Sequence, residues 1–175
     1  MTENCRIRPL AEADLPMVLA WRNAPAVRAV MFTRHEITLD EHRLWFARVS
    51  QDPSRCLILV EDTSGPIGYA QFADVEPGGV ADWGFYARPG APKGTGQRLG
   101  RAALDHAFGP LGLHKVCGQA IGSNLPSIRL HLRLGFTQEG VLRDQRRRDG
   151  GYDDLVCFGL LASEWQRDGH SGDIS

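Results

Sequence analysis

Apolar residues recur along this chain in two rhythms, one of about 3.6 residues and one of two. After a short edge-type strand at Arg6-Ile-Arg-Pro9, Leu10–Asp14 opens a helix with Leu15, Val18 and Leu19 on one stripe. That helix ends near Arg22-Asn23, before Pro25. A second short segment carries Val27, Arg28, Val30, Met31 and Phe32. Thr38 followed by Glu41 reads as a capping box, and the next helix sets His42, Trp45, Phe46 and Val49 on one face. The rhythm then shortens. Cys56–Val60, Pro66–Phe72 and Val80–Ala87 read as three antiparallel strands, joined by turns at Thr63–Gly65 and Glu76–Gly79. A glycine-rich loop at 88–96 leads into a helix over Gln97–Phe108, then a strand at Lys115–Ile121. Leu125–Leu134 is a helix closed by Gly135. Strands at about 136–148 and 152–161 flank a hairpin turn at Asp149-Gly-Gly151.

This order predicts an α/β domain over residues 1–168, with a mixed, mostly antiparallel sheet of about seven strands flanked by helices and a disordered tail at 169–175. Composition narrows the function classes. Twenty Lys and Arg against 21 Asp and Glu leave a net charge of −1, which gives no electrostatic reason to expect nucleic acid or an anionic membrane as partner. No apolar run approaches the roughly 18–20 residues of a membrane span, and the first residues do not read as a secretion signal. Cys5, Cys56, Cys117 and Cys157 lack metal-ligand spacing, so the reading is a cytoplasmic protein without disulfides or a bound metal.

Two features carry chemistry. A strand feeding Lys93-Gly94-Thr95-Gly96 and then a helix can cradle an anion, because glycines admit the backbone and first-turn amides point outward. The spacing fits neither a P-loop nor a dinucleotide fingerprint. On the later helix, Asn124, Ser127 and His131 fall at i, i+3 and i+7, a polar stripe expected to face a cleft.

These residues together resemble the GNAT acetyltransferase superfamily, in order and spacing from about residue 6 to residue 165. The resemblance implies acetyl-CoA as acetyl donor. It places the pyrophosphate on Lys93, Gly94, Thr95, Gly96 and Gln97, the pantetheine arm along Phe85, Tyr86 and Ala87, and Asn124 and Ser127 beside the cofactor. His131 stands where the family usually has a tyrosine that protonates the departing thiolate, and imidazole can do this at neutral pH. Ala91 replaces the usual Arg or Gln three residues before the first glycine.

A narrower resemblance lies in Trp21-Arg-Asn23, Pro25-x-Val27-Arg28, Met31-Phe32, Glu41-His42-x-x-Trp45 and Trp83-Gly-Phe-Tyr86. It extends to Glu139-Gly-x-Leu-Arg143 and Tyr152-x-Asp154. These are similar to the N-acetyltransferases of pseudaminic acid biosynthesis, which implies acetylation of the 4-amino group of a UDP-linked 4-amino-4,6-dideoxy sugar. Met31, Phe32 and Trp45 suit the apolar face of such a sugar, and Arg22, Arg28 and His42 its diphosphate. Asp82, Gln119 through a water, or His42 are the candidates for organising amine deprotonation, with a backbone N–H near Tyr86 for the oxyanion. Direct transfer is expected over an acyl-enzyme on Cys117, which has no paired base in the sequence. Arg146-Arg-Arg148 reads as a solvated strand edge, and the alternation of Asp154, Val156 and Phe158 leaves room for strand pairing in a homodimer. The competing readings are a ribosomal-protein N-terminal or polyamine acetyltransferase and a non-catalytic acyl-CoA sensor.

Overall fold

The computed structural model describes residues 5–169. Every strand expected from alternation forms: β1 (Arg6–Pro9), β2 (Cys56–Asp62), β3 (Gly65–Ala73), β4 (Val80–Ala87), β5 (Lys115–Ile121), β6 (Thr137–Arg148) and β7 (Gly151–Leu161). They make one sheet in the order β1-β2-β3-β4-β5-β7-β6, antiparallel except for β4 beside β5.

The helices cover both faces. On one lie α4 (Thr95–Phe108) and α5 (Leu125–Arg133). Ala103, Leu104, Ala107 and Leu134 pack there against Ile58, Phe72, Ala81, Val116 and Phe158. Each large aliphatic or aromatic side chain so buried stabilises the fold by about 1.5–3 kcal/mol. On the other face lie α1 (Leu15–Asn23), preceded by a single 3-10 turn at Glu12–Asp14, and α3 (Leu39–Val49). Leu15, Val18 and Trp21 bury Leu59 and Tyr69, with Trp45, Phe46 and Tyr86 packed around them. The short α2 (Pro25–Arg28) begins the connection between α1 and α3. The α3 capping box is present: the Glu41 amide donates to Thr38 Oγ1 at 3.2 Å and the Thr38 amide to Glu41 Oε2 at 2.7 Å.

One break in the sheet positions the site. β4 stays paired with β3 from Asp82 to Ala87, and β5 stays paired with β7 to Ile121. Between β4 and β5 the ladder holds only at Val80–Asp82 against Lys115–Cys117. Beyond that point the two strands part, and their facing backbone groups are left for another partner.

Four expectations change. α4 starts at Thr95 rather than Gln97, because Gly94 takes the left-handed conformation (φ 90°) and caps the helix earlier. A sixth helix, α6 (Ala162–Gly169), follows β7; Trp165 packs on Phe108 and donates to Asp105 Oδ1 at 2.8 Å. Gly169 therefore closes a helix, and the rest of the tail expected to be disordered lies outside the described residues. The strand holding Asp154, Val156 and Phe158 has β5 on one side and β6 on the other, so it has no edge to offer a second subunit. The edge strands are β1 and β6, and the register of β6 is broken between Gln138 and Gly140 and again between Leu142 and Arg146. Within the second break Asp144 adopts a positive φ of 50°, and its amide donates to Asp154 Oδ1 at 2.9 Å. No helix among the described residues is long and apolar enough to cross a membrane.

Candidate active site

The gap between β4 and β5 opens into a cavity of about 920 Å³ that runs from α5 on one face to α1 and α3 on the other. That is a size suited to small-molecule substrates. Strand pleating sorts its lining. Ala81, Trp83 and Phe85 join the core under α4 and α5, whereas Tyr86 packs with Tyr69 under α1 and α3. Alternation therefore turns Asp82 toward the α1–α3 face; on β5, where Val116 and Ala120 face α4 and α5, it turns Cys117 and Gln119 the same way. His131 sits on α5, across the sheet from Asp82 and Gln119. The three expected catalytic residues line one cavity but do not form one cluster.

At the α4 end, Gly96 lines the cavity. The Thr95 amide donates to Pro92 C=O at 3.2 Å, and those of Gln97 and Arg98 to Gly94 C=O at 3.1 Å. The Gly96 amide is the first-turn donor that these bonds leave over. A Cβ at Gly96 would lie 3.3 Å from Leu130, so the bare backbone is part of the cavity's shape. Phe85, Tyr86, Ala87, Asn124 and Ser127 also line it. Lys93, Gly94, Thr95 and Gln97 do not. Thr95 is turned away altogether, with its hydroxyl buried and donating to Pro92 C=O at 2.8 Å, where it braces the loop. Parted strands with an outward helix-start amide between them fit an extended, anion-bearing thioester such as acetyl-CoA.

Asn124 caps α5 by accepting from the Ser127 amide at 3.3 Å. His131 is only 2% exposed. The Ser127 carbonyl lies 2.8 Å from His131 Nδ1 and can only accept, so Nδ1 carries the proton. Trp83 Nε1–H donates to Nε2 at 3.2 Å, so Nε2 is bare. Burial pushes the imidazole below its ordinary value. The ring is thus neutral with both nitrogens engaged, and it has no proton aimed at the cavity.

The α1–α3 side is different. Arg22 Nη2 donates to Thr33 C=O at 2.7 Å, while Nη1 is buried without a partner. His42 stacks on Trp45 (5.2 Å, 6°); burial holds it neutral, and its Nδ1 is also buried without a partner. Leaving such atoms unpaired costs about 1–3 kcal/mol each, which a bound ligand can recover. Met31 and Phe32 line the same end. Arg28 does not: its guanidinium is 3.6 Å from Glu36, outside the cavity. Arg146, read from sequence as solvated edge, lies 4.3 Å over the Phe32 ring and donates to Phe32 C=O at 2.7 Å. Arg34 and Arg148 share Asp153, so the loop after α2 is fastened to the β6–β7 hairpin.

Gln71 and Trp83 are among the lining residues that escaped the sequence reading. Gln71 accepts from the Tyr69 hydroxyl at 3.0 Å, and a lone amide inside an apolar strand was its signal. Trp83 as the partner of His131 had none, since the pairing exists only across the fold. No group of three or more His, Cys, Asp or Glu that could hold a metal occurs among the described residues.

Known proteins agree with this geometry. Residues 4–137 match the family model described as Acetyltransferase (GNAT) domain. An L-methionine sulfoximine/L-methionine sulfone acetyltransferase of Pseudomonas paraeruginosa is 30% identical over 88% of this chain and 92% of its own. Acetyltransferase PseH of Campylobacter jejuni is 27% identical over 73% and 80%. Spermidine N-acetyltransferase of Vibrio cholerae, solved with CoA and spermine, superposes with a TM-score of 0.85 over 93% of this chain and 98% of that one, at 24% identity, and so speaks for the fold alone. With a sheet parted at β4 and β5, a glycine-initiated helix beside the gap and a family match over most of its length, the chain belongs to the GNAT acetyltransferases and is an N-acetyltransferase that uses acetyl-CoA.

Proposed function

We propose that the acceptor is a UDP-linked 4-amino-4,6-dideoxy sugar of the pseudaminic acid pathway, acetylated on its 4-amino group by direct transfer. The observation that carries this reading is the unpartnered, buried Nη1 of Arg22 at the acceptor end of the cavity. Around it the lining offers the guanidiniums of Arg22 and Arg88 and the neutral imidazole of His42 stacked on Trp45, with Glu41 and Asp82 as the acidic members. Cations with aromatic surface suit an amine whose other end is anionic. A polyamine asks for the reverse. The motif resemblance and the similarity to acetyltransferase PseH support the same choice.

In this reading Arg22 and His42 take the nucleotide part, and Met31, Phe32 and Trp45 the sugar. The backbone of Phe85–Ala87 runs along the pantetheine, with Asn124 and Ser127 flanking it, while Lys93–Gln97 form the rim that meets the pyrophosphate. Asp82, or Gln119 through a water, guides the proton from the ammonium before attack, and an amide near Tyr86 faces the oxyanion. A second reading has one specific support: Arg22 would equally pair with the carboxylate of an amino acid, and the methionine sulfone acetyltransferase is similar over nearly its whole length.

Release of free thiol from acetyl-CoA with the UDP-amino sugar, methionine sulfone and spermidine as parallel acceptors tests the choice. Turnover on the sugar alone supports it. Turnover on methionine sulfone alone replaces it with the amino-acid reading, and turnover on spermidine alone discards both.

A further inference from the structure

We propose that His131 is a positioning residue: it holds Trp83 across the point where β4 and β5 separate, and the departing thiolate takes its proton from the attacking nitrogen.

Trp83 is the first β4 residue beyond the last rung shared with β5, which joins Asp82 to Cys117. The residue after Cys117 is Gly118. A Cβ there would lie 2.6 Å from Trp83 Nε1 and 2.5 Å from His131 Nε2. The indole–imidazole hydrogen bond therefore crosses directly over Gly118 and links β4 to α5 above β5. His131 is fixed in turn by Ser127 C=O, by stacking on Phe158 (4.6 Å, 10°) and by edge contacts with Phe136 and Trp83. Phe85 completes the enclosure. None of these neighbours, from β4, β5, α5, β7 or the turn after α5, bears a charge or titrates near neutrality. An imidazole in that setting is a fixed acceptor for one indole N–H. It sets the width and direction of the gap in which the thioester lies.

The proton balance closes without it. As nitrogen attacks the thioester carbon, the N–C bond forms and the nitrogen carries one hydrogen more than the amide will keep. When the C–S bond breaks, that hydrogen passes to sulfur, and amide and thiol are both neutral. No external acid is consumed.

Three measurements bear on this, two of them independent of the acceptor. Nitrogen-15 NMR of the wild-type imidazoles should show His131 as the Nδ1–H tautomer throughout roughly pH 5.5 to 8.5; titration of His131 within that range would overturn the proposal. Calorimetric acetyl-CoA binding should weaken about tenfold in His131→Leu, which orphans the Trp83 N–H, and recover to within about threefold in His131→Gln, whose amide can accept that bond. Equal binding by His131→Leu and wild type would also overturn it. With an acceptor that turns over, His131→Gln should restore the kcat lost in His131→Leu and keep the wild-type pH profile. A fall in kcat of about 10²–10⁴-fold in His131→Gln, with loss of the alkaline limb, would instead make His131 the acid.

Discussion

The two faces of the parted sheet differ in how their polar atoms are satisfied. Toward α4 and α5, Trp83, His131 and Ser127 answer one another, and the aromatic rings around them leave no polar atom waiting. Toward α1 and α3, Arg22 and His42 each bury a nitrogen with no partner. The side chains of the first face are satisfied without a ligand, and what remains there for one is backbone, such as the Gly96 amide. The second is incomplete, and in the proposed reading the acceptor completes it. Rigidity on one side and unmet hydrogen bonding on the other divide the labour between a fixed cosubstrate and a selected one.

The sharpest way to break the donor side is Gly118→Val. Its added carbons would meet two stiff rings, so thermal unfolding should report a loss of about 3 kcal/mol, with acetyl-CoA binding lost alongside. Arg22→Ala tests the acceptor side. It should lower kcat/KM for the true acceptor by about 10–100-fold, the range of a charge-assisted hydrogen bond, and leave acetyl-CoA binding unchanged. A comparable loss in acetyl-CoA affinity would show that the faces are not separable.

Acid should weaken both faces together. Burial lowers the pKa of His42, His106 and His131 from the ordinary 6.5, so below that value the unfolded chain binds more protons than the native one. Stability is then complete above about pH 6.5 and falls as the pH drops below it. Melting temperatures between about pH 8 and pH 5 check this, and His131→Gln should flatten the decline. The smallest effect belongs to Thr38→Ala, which removes the α3 cap for about 1 kcal/mol and should change neither substrate's KM. A shift in acceptor KM there would mean that α3 carries His42 less firmly than its packing suggests.

The larger helices were legible because each buries a single stripe, and the central strands because short apolar runs covered on both faces are bounded by turn residues. α6 was not, since its run is short and polar, with Trp165 docked on the core. The site divided along the same line. The glycine-started helix at Gly96 and the cap at Asn124 were legible from spacing and Tyr86 from the family resemblance, and all three line the cavity. Residues whose role depends on a distant partner were not legible. Arg28 looked as available as Arg22 until Glu36 was seen beside it, and Arg146 looked solvated until Phe32 came under it. The pairing of His131 with Trp83 was equally hidden, because nothing in the sequence links two residues 48 positions apart.

The twice-broken register of β6 has a consequence for the molecule's behaviour in company. A straight terminal strand of twelve residues would offer an uninterrupted row of N–H and C=O groups to any other extended chain. Here the extra residues at Glu139 and at Arg143–Gln145, with Asp144 in a left-handed turn, cut that row into short pieces, and four arginines between 143 and 148 set like charges along it. Two copies meeting edge to edge would find neither a continuous template nor neutral ground, so the bulges guard against runaway stacking. A variant with Arg143–Gln145 shortened to a single residue should aggregate faster on mild heating than its loss of stability explains.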